Sequence, residues 1–253
     1  VHNGTSKSGE PDNNVSGRRL SAWLDKIKAE YGVGNVDLMS FCGDMGPASG
    51  SATNFWDSAK YVMTTVSGSD AITSNNGKGL YTTGNHEYNP GDYGTSSTNN
   101  DTKKAYKMDK EGINGSNYRI YCLGSTSFNA GYTSDQISAL SDYLNKTDND
   151  KPIFIITHFP LHYYSSWRTT SNADQVIAKL NTAVDNGKTI VFLWGHNHTE
   201  ADPHYDQVFL PGAGLKTTSS SSSIKGIKFY YAAAGAMADS EYGSSGQVKG
   251  KGL

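Results

Sequence analysis

The chain has 253 residues, 36% of them apolar, which is enough to bury a sizeable core and allows one large domain or two small ones. A net charge of −2 and a pI near 6.4 leave no basic footprint, arguing against a broad nucleic-acid surface. Two cysteines make no disulfide framework, and no apolar run is long enough to span a bilayer.

The chain opens on Val1-His2-Asn3-Gly4. Leu20, Trp23, Leu24, Ile27 and Tyr31 then form an apolar stripe at helical spacing. A strand-like run, Val36–Cys42, leads into Gly43-Asp44-Met45-Gly46-Pro47. Phe55, Ala59, Val62, Met63 and Val66 predict a second helix, and Gly79–Thr83 a second strand that ends at Gly84-Asn85-His86-Glu87-Tyr88. From Asn89 to about Thr102 the composition is that of a loop. Cys122 lies in another strand-like apolar run; it and Cys42 are expected to be buried, inert thiols. Thr133-Ser134-Asp135-Gln136 reads as a capping box before Ile137, Leu140, Tyr143 and Leu144.

The run Lys151–Thr157 ends at His158. An aromatic-rich stretch follows, with His162, Tyr163, Tyr164 and Trp167 leading to Arg168, and it is a candidate specificity wall. Val176, Ile177, Leu180 and Val184 predict a further helix that Gly187 ends. The run Lys188–Trp194 then meets Gly195-His196-Asn197-His198. His204 and Tyr205 read as surface loop, Ser219–Ser223 as a loop tip, and no strand or helix signal stands out near Gly250–Leu253. Strands alternating with helices give an α/β class.

Four of these strand-like runs deliver Asp44, Asn85, His86, His158, His196 and His198 to strand ends, and the carboxyl edge of an open α/β sheet is where ligands bind. Imidazole, carboxylate and amide donors without a cysteine pair suit Zn, Mn, Fe or Co. In an extended segment His196 and His198, two apart, point the same way and suit two adjacent ions. Gly43 and Gly195 permit sharp turns beside such a site. Each motif alone has an ordinary structural reading, a turn for Gly43-Asp44 or a core histidine for His158, but their order and placement together favour a two-metal hydrolase.

With these motifs the sequence resembles the calcineurin-like metallophosphoesterases, whose pattern runs D-x-H, G-D-x-x-D, G-N-H-D/E, H and G-H-x-H, and the resemblance spans His2 to His198. It implies a single catalytic domain over 1–253, with two facing mixed sheets flanked by helices in a four-layer sandwich. It implies Asp44 as a carboxylate bridging two divalent or trivalent ions (Mn, Zn or Fe), with Asn85, His158 and His196 completing one site and His2 and His198 serving the other. His86 would contact the substrate phosphate and assist the leaving oxygen, with Glu87 as its neighbour. Arg168, His162 and Tyr88 are expected near the substrate.

Two departures stand out. No Asp precedes His2 within the chain, which suggests that the first residue of D-x-H lies just upstream of Val1. Pro47 replaces the second Asp of G-D-x-x-D, so His86 must be oriented by another group. The expected chemistry is attack of a metal-bound hydroxide on phosphorus in a phosphomonoester or phosphodiester, because two ions can activate water and neutralise both reacting oxygens. No Gly-x-Ser-x-Gly elbow offers a covalent nucleophile. The alternative is a metal-containing but inactive binding or structural module of a surface protein. Richness in Asn, Ser, Thr, Gly and Tyr suggests a secreted or cell-surface bacterial protein.

Overall fold

The computed structural model describes residues 15–32, 39–43, 79–82, 84–85, 111–114, 118–124, 130–166, 169–197, 202, 204 and 207–234. The expectations for His2, Asp44, Pro47, the helix of Phe55 to Val66, His86, Glu87, Tyr88, the loop from Asn89 to Thr102, Arg168, His198 and the final residues lie outside them.

In chain order the described elements are α1 (Val15–Tyr31), β1 (Met39–Phe41), β2 (Gly79–Tyr81), β3 (Glu111–Asn114), β4 (Arg119–Leu123), α2 (Ser134–Lys146), β5 (Ile153–Thr157), α3 (Ala173–Asp185), β6 (Ile190–Trp194), β7 (Val208–Phe209), β8 (Gly214–Lys216), β9 (Ile224–Gly226) and β10 (Tyr230–Ala233). One six-stranded sheet runs in the order β3-β4-β5-β6-β10-β7. Its four inner strands are mutually parallel, and the edge strands β3 and β7 are antiparallel to their neighbours. β1 and β2 form a separate parallel pair, and β8 with β9 a short antiparallel ribbon.

α2 and α3 turn their predicted stripes to the core, with Tyr143 and Val184 only partly buried. Leu140, Val176 and Leu180 are fully enclosed, and they join Tyr121, Leu123, Ile153, Ile155, Ile190, Phe192 and Trp194 in one core. Each such side chain contributes about 2 kcal/mol through removal of apolar surface from water. The strand residues of alternate parity, Ile120, Cys122 and Ile156, form a smaller cluster with Cys42, Phe154 and Leu193. Period-two alternation thus loads both faces of the sheet. Thr133 caps α2 with the predicted reciprocal bonds to Gln136. Past the end of α3, Gly187 turns the chain at a φ of 90°.

Two expectations for the periphery change. In the α1 stripe Leu24 is buried, but Tyr31, the last residue of the helix, is 57% exposed. The region after β6, where no strand was predicted, supplies β10 between β6 and β7, with Phe229 and Tyr231 in the core. No described helix is long and apolar enough to cross a membrane.

Candidate metal centre

β5 and β6 pair in parallel, Ile153 opposite Ile190 through Ile156 opposite Leu193, so the residues that follow them leave the sheet at one edge. Those residues are His158 and Gly195-His196. The ladder continues one step past the strands, where the Gly195 amide donates to the His158 carbonyl at 3.1 Å. The ends of β1 and β2 arrive at the same edge. The Cys42 thiol donates to the Leu193 carbonyl at 3.9 Å, and the Thr82 hydroxyl to the Ile156 carbonyl at 3.3 Å.

This meeting of four strand ends depends on two glycines. Gly43 has a φ of 82°, and a Cβ on it would fall 2.6 Å from the Gly84 backbone and 2.8 Å from His158 Nδ1. A Cβ on Gly195 would fall 2.9 Å from the Cys42 carbonyl oxygen. Neither backbone contact can give way, so a side chain at either position would push the strand ends apart.

His158 stands at the centre, 1% exposed. Its Nδ1 lies 2.5 Å from the Cys42 carbonyl oxygen. A carbonyl only accepts, so Nδ1 carries the proton and Nε2 presents its lone pair. That lone pair faces Asn85 Oδ1 at 2.9 Å and His196 Nδ1 at 3.1 Å. Asn85 is itself buried. The His158 and His196 rings meet edge to face, with centroids 4.9 Å apart.

These atoms fit a cation. A histidine that donates one ring N–H to a backbone carbonyl and turns the other nitrogen inward has the arrangement usual for metal-ligating histidine. Ligands at right angles, each about 2.1 Å from an ion, stand about 3.0 Å apart, close to the spacings of the Asn85 oxygen and the two imidazole nitrogens. The set is two histidines and an amide; among the described residues no group of three His, Cys, Asp or Glu side chains forms a metal site.

His196 is held at a φ of 68°, in the left-handed region that a residue with a Cβ seldom adopts. The turn is closed by the Asn197 amide donating to the Gly195 carbonyl at 2.8 Å. Phe159 presents an edge-to-face contact to the rings of both His158 and His196, at 5.3 and 5.1 Å. The expected aromatic wall therefore divides. Phe159 and Leu161 are core, while Tyr163 and Tyr164 are half-exposed.

His162 departs from its expected place near the substrate. Its side chain is fully enclosed, with Nδ1 at 2.7 Å from the Tyr231 hydroxyl and Nε2 at 2.8 Å from Asp202 Oδ2. Both nitrogens are occupied and the ring packs on Trp194, which leaves no atom for a substrate. His204 likewise packs against His162 and Phe209 instead of lying loose on the surface. Burial pushes the Asp202 carboxyl up, but the hydrogen bonds from His162, the His204 amide and Asn197 outweigh it and hold the group below the usual carboxylate value.

Asp202, Asn197 and Tyr231 were not singled out by sequence reasoning. For Tyr231 a signal existed in the apolar run Phe229–Ala234, which reads as a strand. For Asp202 none did, because an acid in a polar loop looks solvated until its partners are known. The Cys42 thiol is pushed up to about 12, first by burial and then by the neighbouring Cys122, so it is no nucleophile at neutral pH.

A sequence model of the family described as calcineurin-like phosphoesterase matches residues 13–200. No curated protein matches the chain.

Proposed function

This chain belongs to the calcineurin-like phosphoesterase family, and we propose that it hydrolyses phosphate monoesters or diesters with two metal ions held at the carboxyl ends of β1, β2, β5 and β6. The observation that carries this reading is the approach of Asn85 Oδ1 and His196 Nδ1 to His158 Nε2, at 2.9 and 3.1 Å, at that edge and within the family-matched span.

In this reading Asn85, His158 and His196 would hold one ion, His2 and His198 would hold the other, and Asp44 would serve both. Manganese, zinc or iron suits such nitrogen and oxygen donors. When bound, the ions supply Lewis acidity toward the phosphoryl oxygens and lower the pKa of water into the neutral range.

The chain's own residues do the remaining work. The Cys42 carbonyl fixes the His158 tautomer, so Nε2 is a donor to an ion at any pH where the imidazole is neutral. Phe159 excludes water from the inner side of both rings. His86, next to Asn85, contacts the substrate phosphate and gives a proton to the departing oxygen, with Glu87 as its neighbour. Tyr88 and Arg168 are proposed substrate contacts.

The same reading extends to architecture and setting. The β1–β2 pair belongs to a second sheet facing the six-stranded one, giving the four-layer sandwich of a single catalytic domain, and the protein acts outside the cell or at its surface on a small or macromolecular phosphate ester.

The test is the initial rate on an aryl phosphomonoester and the matching diester, for protein stripped with chelator and then reloaded with Mn, Zn or Fe. We expect the stripped protein to be silent and the reloaded protein to turn over one of the two. Metal uptake without turnover of either ester would overturn hydrolysis in favour of a binding module.

A further inference from the structure

Behind the metal-facing rings lies a closed polar network that the proposed chemistry does not use. It joins three segments: the loop after β5 (Leu161, His162), the loop after β6 (Asn197, Asp202, His204) and β10 (Tyr231). The Leu161 amide donates to the Tyr231 oxygen at 2.8 Å, and that hydroxyl is hydrogen-bonded to His162 Nδ1 at 2.7 Å. His162 Nε2–H donates to Asp202 Oδ2, and the Asn197 amide nitrogen donates to the same oxygen at 2.7 Å. The His204 amide donates to Asp202 Oδ1 at 2.9 Å.

Asn197 sits next to His196, whose backbone is in the left-handed region. A non-glycine residue held there costs about 1 kcal/mol or more, and it persists only where its surroundings over-determine it. The surroundings here are few. Asn197 is 2% exposed, its side-chain nitrogen is bound to Asp202, and its Oδ1 meets no hydrogen-bond donor among the described residues. Among the described residues the carboxylate is therefore the one polar anchor of that side-chain amide.

We propose that Asp202 is a positioning residue: through Asn197 it holds the strained His196 turn, and through His162 it ties that turn to the loop carrying His158, fixing the spacing of the two imidazoles before any ion binds. The claim about ion binding rests on the metal-centre reading above; the claim about the turn does not. An acid in this place locks the ligand loops without touching ion or substrate, as partners behind metal ligands do elsewhere.

Two variants test this. Asn197→Ala cuts the tie to the turn and leaves the His162–Asp202 pair intact. Asp202→Asn keeps size and puts an amide donor where one of the three present donors now points. The readouts are imidazole proton–nitrogen NMR spectra of the metal-free protein, Mn affinity by calorimetry, and circular dichroism to show that the fold is kept.

In both variants we expect the His196 and His158 ring resonances to shift or broaden without metal, and Mn affinity to fall 10- to 100-fold. A purely structural role would lower the melting temperature and leave both readouts unmoved in the folded protein. Ring resonances that match the parent's in folded Asn197→Ala overturn the positioning role, whatever the metal result. Parent protein that takes up no Mn overturns the metal-centre reading, and the ring spectra still decide whether the turn depends on Asp202.

Discussion

Cys42 acts through its backbone. Its carbonyl accepts the His158 Nδ1 proton, while its thiol packs with Ile120, Cys122 and Ile156 and donates weakly to Leu193. Burial, and then the neighbouring Cys122, pushes the Cys42 thiol up to about 12, so it stays protonated at pH 8. Cys122 is buried in β4, and both cysteines are free thiols. An aromatic disulfide reagent at pH 8 should therefore label neither cysteine of the native protein on the minute timescale and both after denaturation. Rapid labelling of one thiol in native protein would show that Cys42 is more accessible and more acidic than its surroundings allow. The corollary concerns substitution: Cys42→Ser keeps the carbonyl and should keep the His158 tautomer, so a conserved metal affinity in that variant is the expected companion result.

At the scale of elements, α2 shows how far local sequence can be read. Thr133 accepts from the Gln136 amide at 3.2 Å, and Gln136 Oε1 accepts from the Thr133 amide at 3.0 Å. Gln136 also donates from Nε2 to the Gly124 carbonyl at 2.6 Å, which ties the helix start to the end of β4. Thr133→Ala removes one side of the box and should cost about 1 kcal/mol, seen as a lower urea midpoint at an unchanged slope. No change in midpoint would mean that Gln136 alone secures the helix start.

Capping boxes, helical stripes and buried parallel strands are local patterns, which is why α2, α3, β5 and β6 were legible from the sequence, and with them the placement of His158 and His196 at strand ends. Long-range pairing is not local. Nothing in the letters of His162 or Asp202 says that they meet across 40 positions, so His162 read as a substrate contact when the fold makes it a buried partner. β7 has two residues and β9 three, too few to show a period, and Tyr31 kept a helical spacing that the fold leaves facing solvent.

For the whole molecule, the decisive element is one that lies beyond the family match. That match ends at residue 200, yet β10, at Tyr230–Ala233, lies between β6 and β7 in the sheet. Leu215, Ile227, Phe229 and Tyr231 are all at most 1% exposed. At about 2 kcal/mol apiece their burial contributes about 8 kcal/mol, comparable with the whole net stability of a domain, about 5–15 kcal/mol. Cutting the chain after residue 206 would also leave β6 as an unpaired apolar edge and take from His162 the hydroxyl at Nδ1. Such a fragment retains every family motif and is expected to be insoluble or to give a collapsed amide NMR spectrum. A well-dispersed spectrum from it would mean that β10 is an addition to a core already complete without it. The expected outcome instead makes the C-terminal strand part of what holds the loop that carries His158, because the residue that closes the core beside β6, Tyr231, is the same residue that bonds to His162 and to the Leu161 amide.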